Sequence, residues 1–208
     1  MYNKIILFGP PAAGKTSIRK FFFEAVPAED LLKTSELPTI GLNYNRFGYV
    51  YRYPMQKRDD SPKKFPIKLV VVDTAGQEVE RWLNESKEHV FTETDLIVYV
   101  FDVSEWLDSE KKEHIKDLFK RACGSILEKA PNAIVYVLGH KFDKIKEGRP
   151  VKEKLKKNIR AELFEYIYDA LNVEMDFDVF LTSLEKNYSA ETFYNMLDIT
   201  TSLLGRPF

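Results

Sequence analysis

Between the apolar run 5–8 and a helical pattern over 15–25, the chain reads Gly9, Pro10, Pro11, Ala12, Ala13, Gly14, Lys15, Thr16. This fits G-x-x-x-x-G-K-[ST], and no other stretch constrains the fold as much. A strand must deliver the backbone into a tight glycine turn, and a helix must start inside that turn. Such a loop points its backbone N–H groups inward around a β-phosphate. Lys15 then reaches the β- and γ-phosphate oxygens, and the Thr16 hydroxyl is available to Mg²⁺. Gly9, Pro11, Ala12, Ala13, Gly14, Lys15, Thr16 and Ser17 are therefore expected along the phosphate tail of a nucleoside triphosphate. The plainer reading, a Gly/Pro turn, accounts less well for the strand before it and the helix after it.

The rest of the chain supplies the layers such a loop needs. Apolar, β-rich runs recur at 5–8, 65–72, 96–101, 133–138 and 177–181. Helical patterns at 15–25, 79–90, 111–129, 152–171 and 190–204 separate most of them. Strands alternating with helices predict an α/β fold, a mostly parallel sheet with helices on both faces. Leu69, Val70, Val71 and Val72 form a continuous apolar run that suits a strand buried on both sides. In 42–53, Tyr44, Phe47, Tyr49, Tyr51 and Tyr53 are interleaved with polar residues. That segment is expected as a sixth strand with one solvated face, antiparallel to 65–72 at the sheet edge. The Pro-, Lys- and Asp-rich stretch 54–64 reads as an exposed hairpin tip. With 208 residues and no dividing linker, one domain over 1–208 is expected.

Charge and termini narrow the partners. Lys and Arg number 31 against 32 Asp and Glu, so no overall basic field calls for nucleic acid, and phosphate binding must be local. The single cysteine, Cys123, cannot form an internal disulfide and reads as a small buried side chain. No run reaches the ~18 apolar residues of a membrane span. The start Met1, Tyr2, Asn3, Lys4 is no secretion signal, Tyr2 stands where myristoylation needs glycine, and Gly205 to Phe208 offer no cysteine to prenylate. A cytoplasmic protein without a direct lipid anchor is expected, peripheral on membranes only through partners. In 111–129, Ile115, Leu118, Phe119, Ala122, Ile126 and Leu127 have helix spacing for core packing. Lys152, Lys154, Lys156, Lys157 and Arg160 read as a solvated basic face.

Three further clusters complete a nucleotide site. Asp73, Thr74, Ala75, Gly76 and Gln77 follow the strand ending at Val72. Asp73 at that strand edge is placed to hold a Mg²⁺ shell through water. Gly76 lets its N–H approach a γ-phosphate, and Gln77 is placed to orient an attacking water. Thr39, between the first helix and the second strand, can give its hydroxyl to Mg²⁺ while a γ-phosphate is present. Residues 28–38 have little to bury, so their order is expected to depend on a ligand. His140, Lys141, Phe142 and Asp143 follow another strand. Asp143 can accept from guanine N1–H and N2–H₂, and the Lys141 stem can cover one base face. Ser183, after Phe180, Leu181 and Thr182, brings a loop whose N–H groups, that of Leu184 included, can read guanine O6.

Taken in order, these residues resemble the small GTPases of the Ras superfamily, over essentially the whole chain. The resemblance implies the three-layer P-loop GTPase fold, GTP/GDP as bound nucleotide, Mg²⁺ held by Thr16, Thr39 and Asp73, and slow GTP hydrolysis using Lys15, Thr39 and Gln77. Within that superfamily the chain is similar to the Rag/Gtr branch. The similarity rests on His140 heading the base motif, on Gly14, Lys15, Thr16, Ser17 and Ile18, and on Val179 to Ser183. The branch implies a homo- or heterodimer with another GTPase, or a complex with a roadblock-type protein. It also implies a second domain, for which this chain ends too early. Effectors, activators or exchange proteins are expected around Thr39 and from Gln77 to Trp82.

Departures bear on mechanism. Pro11 removes one N–H beside the γ-phosphate, where many Ras-like proteins have glycine. No aromatic residue lies between Phe23 and Thr39 to meet guanine edge-on, and Leu31 or Leu32 substitutes more weakly. No arginine near Thr39 is placed as a finger in cis. A scaffold that binds nucleotide and hardly hydrolyses it, or a P-loop kinase or ATPase, are the alternatives, the last having no use for Asp143.

Overall fold

A computed structural model describes residues 2–34, 37, 39–52, 64–76, 83, 90–145 and 149–205. Strand β1 spans Asn3–Phe8, and helices α1 and α2 span Lys15–Phe23 and Ala28–Lys33. Strands β2 (Leu42–Arg52) and β3 (Lys64–Thr74) precede β4 (Leu96–Asp102). Helix α3 (Ser109–Lys129), β5 (Ile134–His140), α4 (Arg149–Leu171), β6 (Asp178–Leu181) and α5 (Ser189–Thr201) follow, with a 3₁₀ turn at Ser202–Gly205 closing the order.

The six strands form one sheet in the order β2-β3-β1-β4-β5-β6. Only β2 and β3 pair antiparallel, Leu42 opposite Thr74 through Arg52 opposite Lys64. The other pairs are parallel, so β1, β3, β4, β5 and β6 all end at one edge. β1 lies between β3 and β4, and the chain changes sides of the sheet there, which opens a crevice beyond the strand ends. This is the α/β architecture of P-loop GTPases, and the mixed sheet with its antiparallel edge matches the sequence expectation.

Every residue of β4 is buried, because helices cover both faces. On one face Phe8, Tyr99, Phe101 and Phe119 pack with Ile115, Ala122 and Cys123 of α3 and with Ile159 and Leu163 of α4. On the other, Ile5, Leu7, Val98 and Val100 meet Ile18 and Phe23 of α1 and Met196 and Ile199 of α5. Tyr99 stacks on Phe119 at 4.9 Å, and its hydroxyl donates to the Ile115 carbonyl at 2.8 Å. That bond satisfies a phenol hydroxyl buried in a largely apolar layer.

One expectation is refined and one corrected. Residues 28–33 bury little, as expected: Leu31, at 7% exposure, is the one buried residue of α2, and Glu29 and Asp30 favour its positive N-terminal end. The basic run is only partly a solvated face. Lys154, Lys157 and Arg160 are exposed, but Lys152 is buried. Its amine donates to Glu191 at 2.6 Å and lies over the Phe142 and Tyr188 rings. The helix expected at 79–90 falls outside the described residues apart from Leu83 and Val90, as does the hairpin tip apart from Lys64.

Phe119 is at the centre of the larger core layer, so Phe119→Ala is expected to lower unfolding free energy by about 3–5 kcal/mol. Urea unfolding of the two proteins checks it.

Candidate functional site: a phosphate loop facing a base-binding loop

β1 ends at Phe8, and the turn beyond it works only with glycine at its two ends. A Cβ on Gly9 (φ 141°) would lie 2.0 Å from the Val100 carbonyl oxygen. A Cβ on Gly14 (φ 93°) would lie 2.4 Å from Cδ2 of His140. Ala12 also takes a left-handed conformation at φ 56°. α1 starts directly behind, with no side-chain cap and no acidic residue in its first turn. Its first N–H groups and the dipole therefore face the loop and favour an anion.

Lys15 is buried, and its amine donates to the Gly9 carbonyl at 2.9 Å and the Pro10 carbonyl at 2.7 Å. Burial lowers its pKa to about 8, an effect Asp73 partly offsets and Lys141 reinforces. The ammonium is thus held on the loop by two weak acceptors, ready to exchange them for a stronger anionic partner.

At the opposite wall, oxygens converge. Thr16 Oγ1 lies 3.0 Å from Thr39 Oγ1 and donates to Asp73 Oδ2 at 2.7 Å. Arg19 Nε reaches the same carboxylate oxygen at 3.3 Å. Asp73 is 0% exposed, and its Oδ1 has no hydrogen-bond partner among the described residues. Two hydroxyls and a buried, half-satisfied carboxylate make an all-oxygen donor set of the kind a hard divalent cation accepts. Gly76 packs so closely on the loop that a Cβ there would lie 2.4 Å from the Pro11 nitrogen. The Ala75 amide donates to the Gly41 carbonyl at 3.0 Å, joining the segment after β3 to the entry of β2.

The second half comes from the ends of β5 and β6. His140 is buried, with Nδ1 3.0 Å from Thr182 Oγ1 and the other edge of its ring against Gly14. Burial lowers its pKa to about 4, with Lys141 adding to the effect, so the ring is neutral near pH 7. Lys141, at φ 61°, donates to the Ala12 carbonyl at 2.6 Å and pairs with Asp102 at 3.1 Å. Lys144 pairs with the same carboxylate at 2.6 Å. Burial raises the Asp102 pKa, but hydrogen bonds from Lys144, Ser104 and Lys141 outweigh it and bring the group to about 2. The Ser183 hydroxyl donates to Asp143, and the Ser183 backbone is fixed on both sides by the Thr192 hydroxyl at 3.0 and 2.7 Å. The Phe142 amide donates to the Thr182 carbonyl at 3.0 Å, which locks the two loops together.

These pieces surround one cavity of about 570 Å³. Pro11, Ala12, Ala13, Gly14, Lys15, Thr16, Ser17, Thr39, Gly76, His140, Lys141, Asp143 and Leu184 line it. Gly9, Asp73 and Ser183 stand behind those walls and hold them. Gln77 and Trp82 lie outside the described residues. The sequence reading missed Thr34, Leu37, Thr74 and Lys144 on the lining. Lys144 follows Asp143 and Thr74 follows Asp73, so both were legible as motif neighbours; Thr34 and Leu37 carry no signal of their own. Leu31 and Leu32 both reach the cavity, in the stretch where an aromatic residue is missing.

Comparison with known proteins agrees with this geometry. The family described as "Gtr1/RagA G protein conserved region" matches residues 4–195. The chain belongs to the Gtr1/RagA family. It is 26% identical over 167 residues to Ras-related GTP-binding protein A of Dictyostelium discoideum, covering 78% of this chain and 48% of that one. It is 24% identical over 205 residues to GTP-binding protein GTR1 of Saccharomyces cerevisiae, covering 97% and 52%. Ras-related GTP-binding protein B of Rattus norvegicus is 27% identical over 165 residues, covering 72% and 42%. The chain thus spans about half the length of the curated relatives it matches. Among the described residues no helix is long and apolar enough to cross a membrane.

The neutral His140 has a pH consequence. An unfolded chain protonates it near 6.5, whereas the folded site resists until about 4. Its contribution is present above the unfolded value and fades as pH falls between the two, by up to about 3 kcal/mol. His140→Asn removes that term. The stability gap between wild type and variant, measured by urea unfolding, should shift against the wild type from pH 7 to pH 5.

Proposed function

We propose that this Gtr1/RagA-family chain is a Mg²⁺-dependent GTP-binding and GTP-hydrolysing switch that recruits protein partners according to its bound nucleotide. The observation that supports it best is one cavity joining a phosphate loop (Gly14, Lys15, Thr16) to a base loop carrying Asp143 and Leu184. The phosphate loop takes the β-phosphate on its amides and the start of α1. Lys15 leaves the Gly9 and Pro10 carbonyls for the β- and γ-oxygens. Thr16 and Thr39 would hold the metal directly, with Asp73 behind them, and bound Mg²⁺ would neutralise charge on the phosphate oxygens. Asp143 accepts from the guanine N1–H and N2–H₂, with Ser183 fixing its carboxylate. Lys141 covers a base face while tied to Ala12, and the Leu184 amide meets O6. Gly76 gives its N–H to the γ-phosphate, and Gln77 orients the attacking water.

Under this reading the Thr39 segment and the residues after Gly76 carry the nucleotide state to effectors, activators or exchange proteins. The partner includes a second GTPase or a roadblock-type protein, and the protein works in the cytoplasm. Residues 1–208 act as one GTPase domain.

Asp143 and the Leu184 amide recognise groups that adenine lacks, so calorimetry should give GDP an affinity at least roughly 10²-fold above ADP. Comparable affinities would replace this reading with a P-loop kinase or ATPase. Gln77→Leu should slow single-turnover hydrolysis by roughly tenfold or more and leave GTP affinity unchanged. Equal rates in the two proteins would remove Gln77 from this role, and a wild type that converts no GTP in a single turnover, with or without candidate activators, would favour a nucleotide-dependent scaffold.

A further inference from the structure

Arg19 touches the carboxylate of the metal-binding wall but none of the steps proposed above uses it. It sits three residues after Thr16 on α1, on the same face, and is 4% exposed. Its Nε lies 3.3 Å from Asp73 Oδ2, and its Nη1 donates to Glu24 at the end of the helix. Asp73 itself is 0% exposed. A fully buried carboxylate without a counter-charge is among the costliest features a fold can carry. Lys15 is also within electrostatic reach of Asp73, but its amine is bonded to the Gly9 and Pro10 carbonyls. Thr16 brings a neutral dipole. Among the described residues, Arg19 is therefore the charged group that touches Asp73.

We propose that Arg19 is the built-in counter-ion of Asp73, carrying the charge balance of the metal-binding wall whenever Mg²⁺ is absent. The inference rests on the metal reading of Thr16, Thr39 and Asp73. Arginine suits the task because its planar fork serves two carboxylates at once, Asp73 through Nε and Glu24 through Nη1. Thr16 and Arg19 both engage Oδ2, which leaves Oδ1 unpartnered. The carboxylate is thus pinned by one oxygen, with the other left over for a metal's water shell. When the metal arrives, its charge supplements that of Arg19; when it leaves, the wall does not hold a naked carboxylate. Arg19 acts through Asp73 and is a positioning residue, touching no reacting atom.

The test compares wild type with Arg19→Met, each saturated with GDP, in a chelator and in millimolar Mg²⁺. Thermal unfolding of Arg19→Met should gain more from Mg²⁺ than wild type does, by roughly 5 °C, because the metal relieves a charge that the variant leaves unpaired. By the same linkage, the Mg²⁺ concentration that half-saturates the GDP-loaded protein should fall about tenfold in Arg19→Met. Equal Mg²⁺ gains in the two proteins would overturn the proposal. A wild type that gains nothing from Mg²⁺ would instead overturn the metal reading beneath it. Should Arg19→Met fail to fold under both conditions, Arg19→Met/Asp73→Asn decides. Removing the buried charge should restore folding, and a double variant that also fails would overturn the counter-ion role.

Discussion

Gly9 lies against the Val100 carbonyl so closely that no side chain fits between β1 and β4, and the polar half of the molecule depends on that contact. It fixes where the chain leaves the sheet. From there the loop can only rise past Ala12 and Gly14 into α1, and α1 then points its unsatisfied amides back over the strand ends. The parallel sheet does the rest. Because β1, β3, β4 and β5 end at one edge, Asp73, Asp102 and His140 arrive beside the loop without any segment designed to carry them there. The site is a product of strand direction before it is a product of side chains.

Electrostatics then separates the two halves of the cavity. On the phosphate side, a buried ammonium and a buried carboxylate are each held by contacts a ligand can replace or supplement. Lys15 rests on two carbonyls, and Asp73 keeps one oxygen unused. On the base side, the groups are held by one another: Asp102 holds Lys141 and Lys144, Ser183 holds Asp143 by one oxygen, and Thr182 holds a neutral His140. A preorganised base pocket loses little entropy on binding, while the phosphate side is where a change of ligand alters the protein's own contacts.

Much of this was legible in the sequence because the decisive residues are punctuation. Gly9, Gly14, Lys15 and Thr16 announce a turn whose chemistry leaves few options, and the buried runs around Val71 and Val98 place the strands. The antiparallel edge followed from the aromatic residues of 42–53, Phe47, Tyr49 and Tyr51 at period two among them, interleaved with polar ones. What escaped was set by tertiary contact. α2 is six residues long, too short to show a period, and its single buried anchor, Leu31, is visible only once α1 and the sheet are in place. Lys152 reads as one more lysine in a basic run, yet Glu191, Phe142 and Tyr188 converge on it from elements far along the chain. Arg19 likewise has no motif; its meaning lies in the strand opposite.

His140 shows how the two halves are coupled. One edge of its ring meets Thr182 on the base side and the other meets Gly14 on the phosphate side, while Lys141 spans the same gap to Ala12. Two struts therefore tie base recognition to the phosphate loop, and neither carries a charge that must be relocated when nucleotide enters: the histidine is neutral and Lys141 is already paired with Asp102. The wall containing Thr39 has no such brace. Its described links are one hydroxyl contact to Thr16 and the amide of Ala75 on the Gly41 carbonyl. A switch needs a rigid side that binds whatever the state and a weakly tied side that responds to the third phosphate. That asymmetry is already present in this chain, and under the proposed function it would put the state-dependent surface at Thr39, where Leu37 and Ile40 stand 86% and 89% exposed.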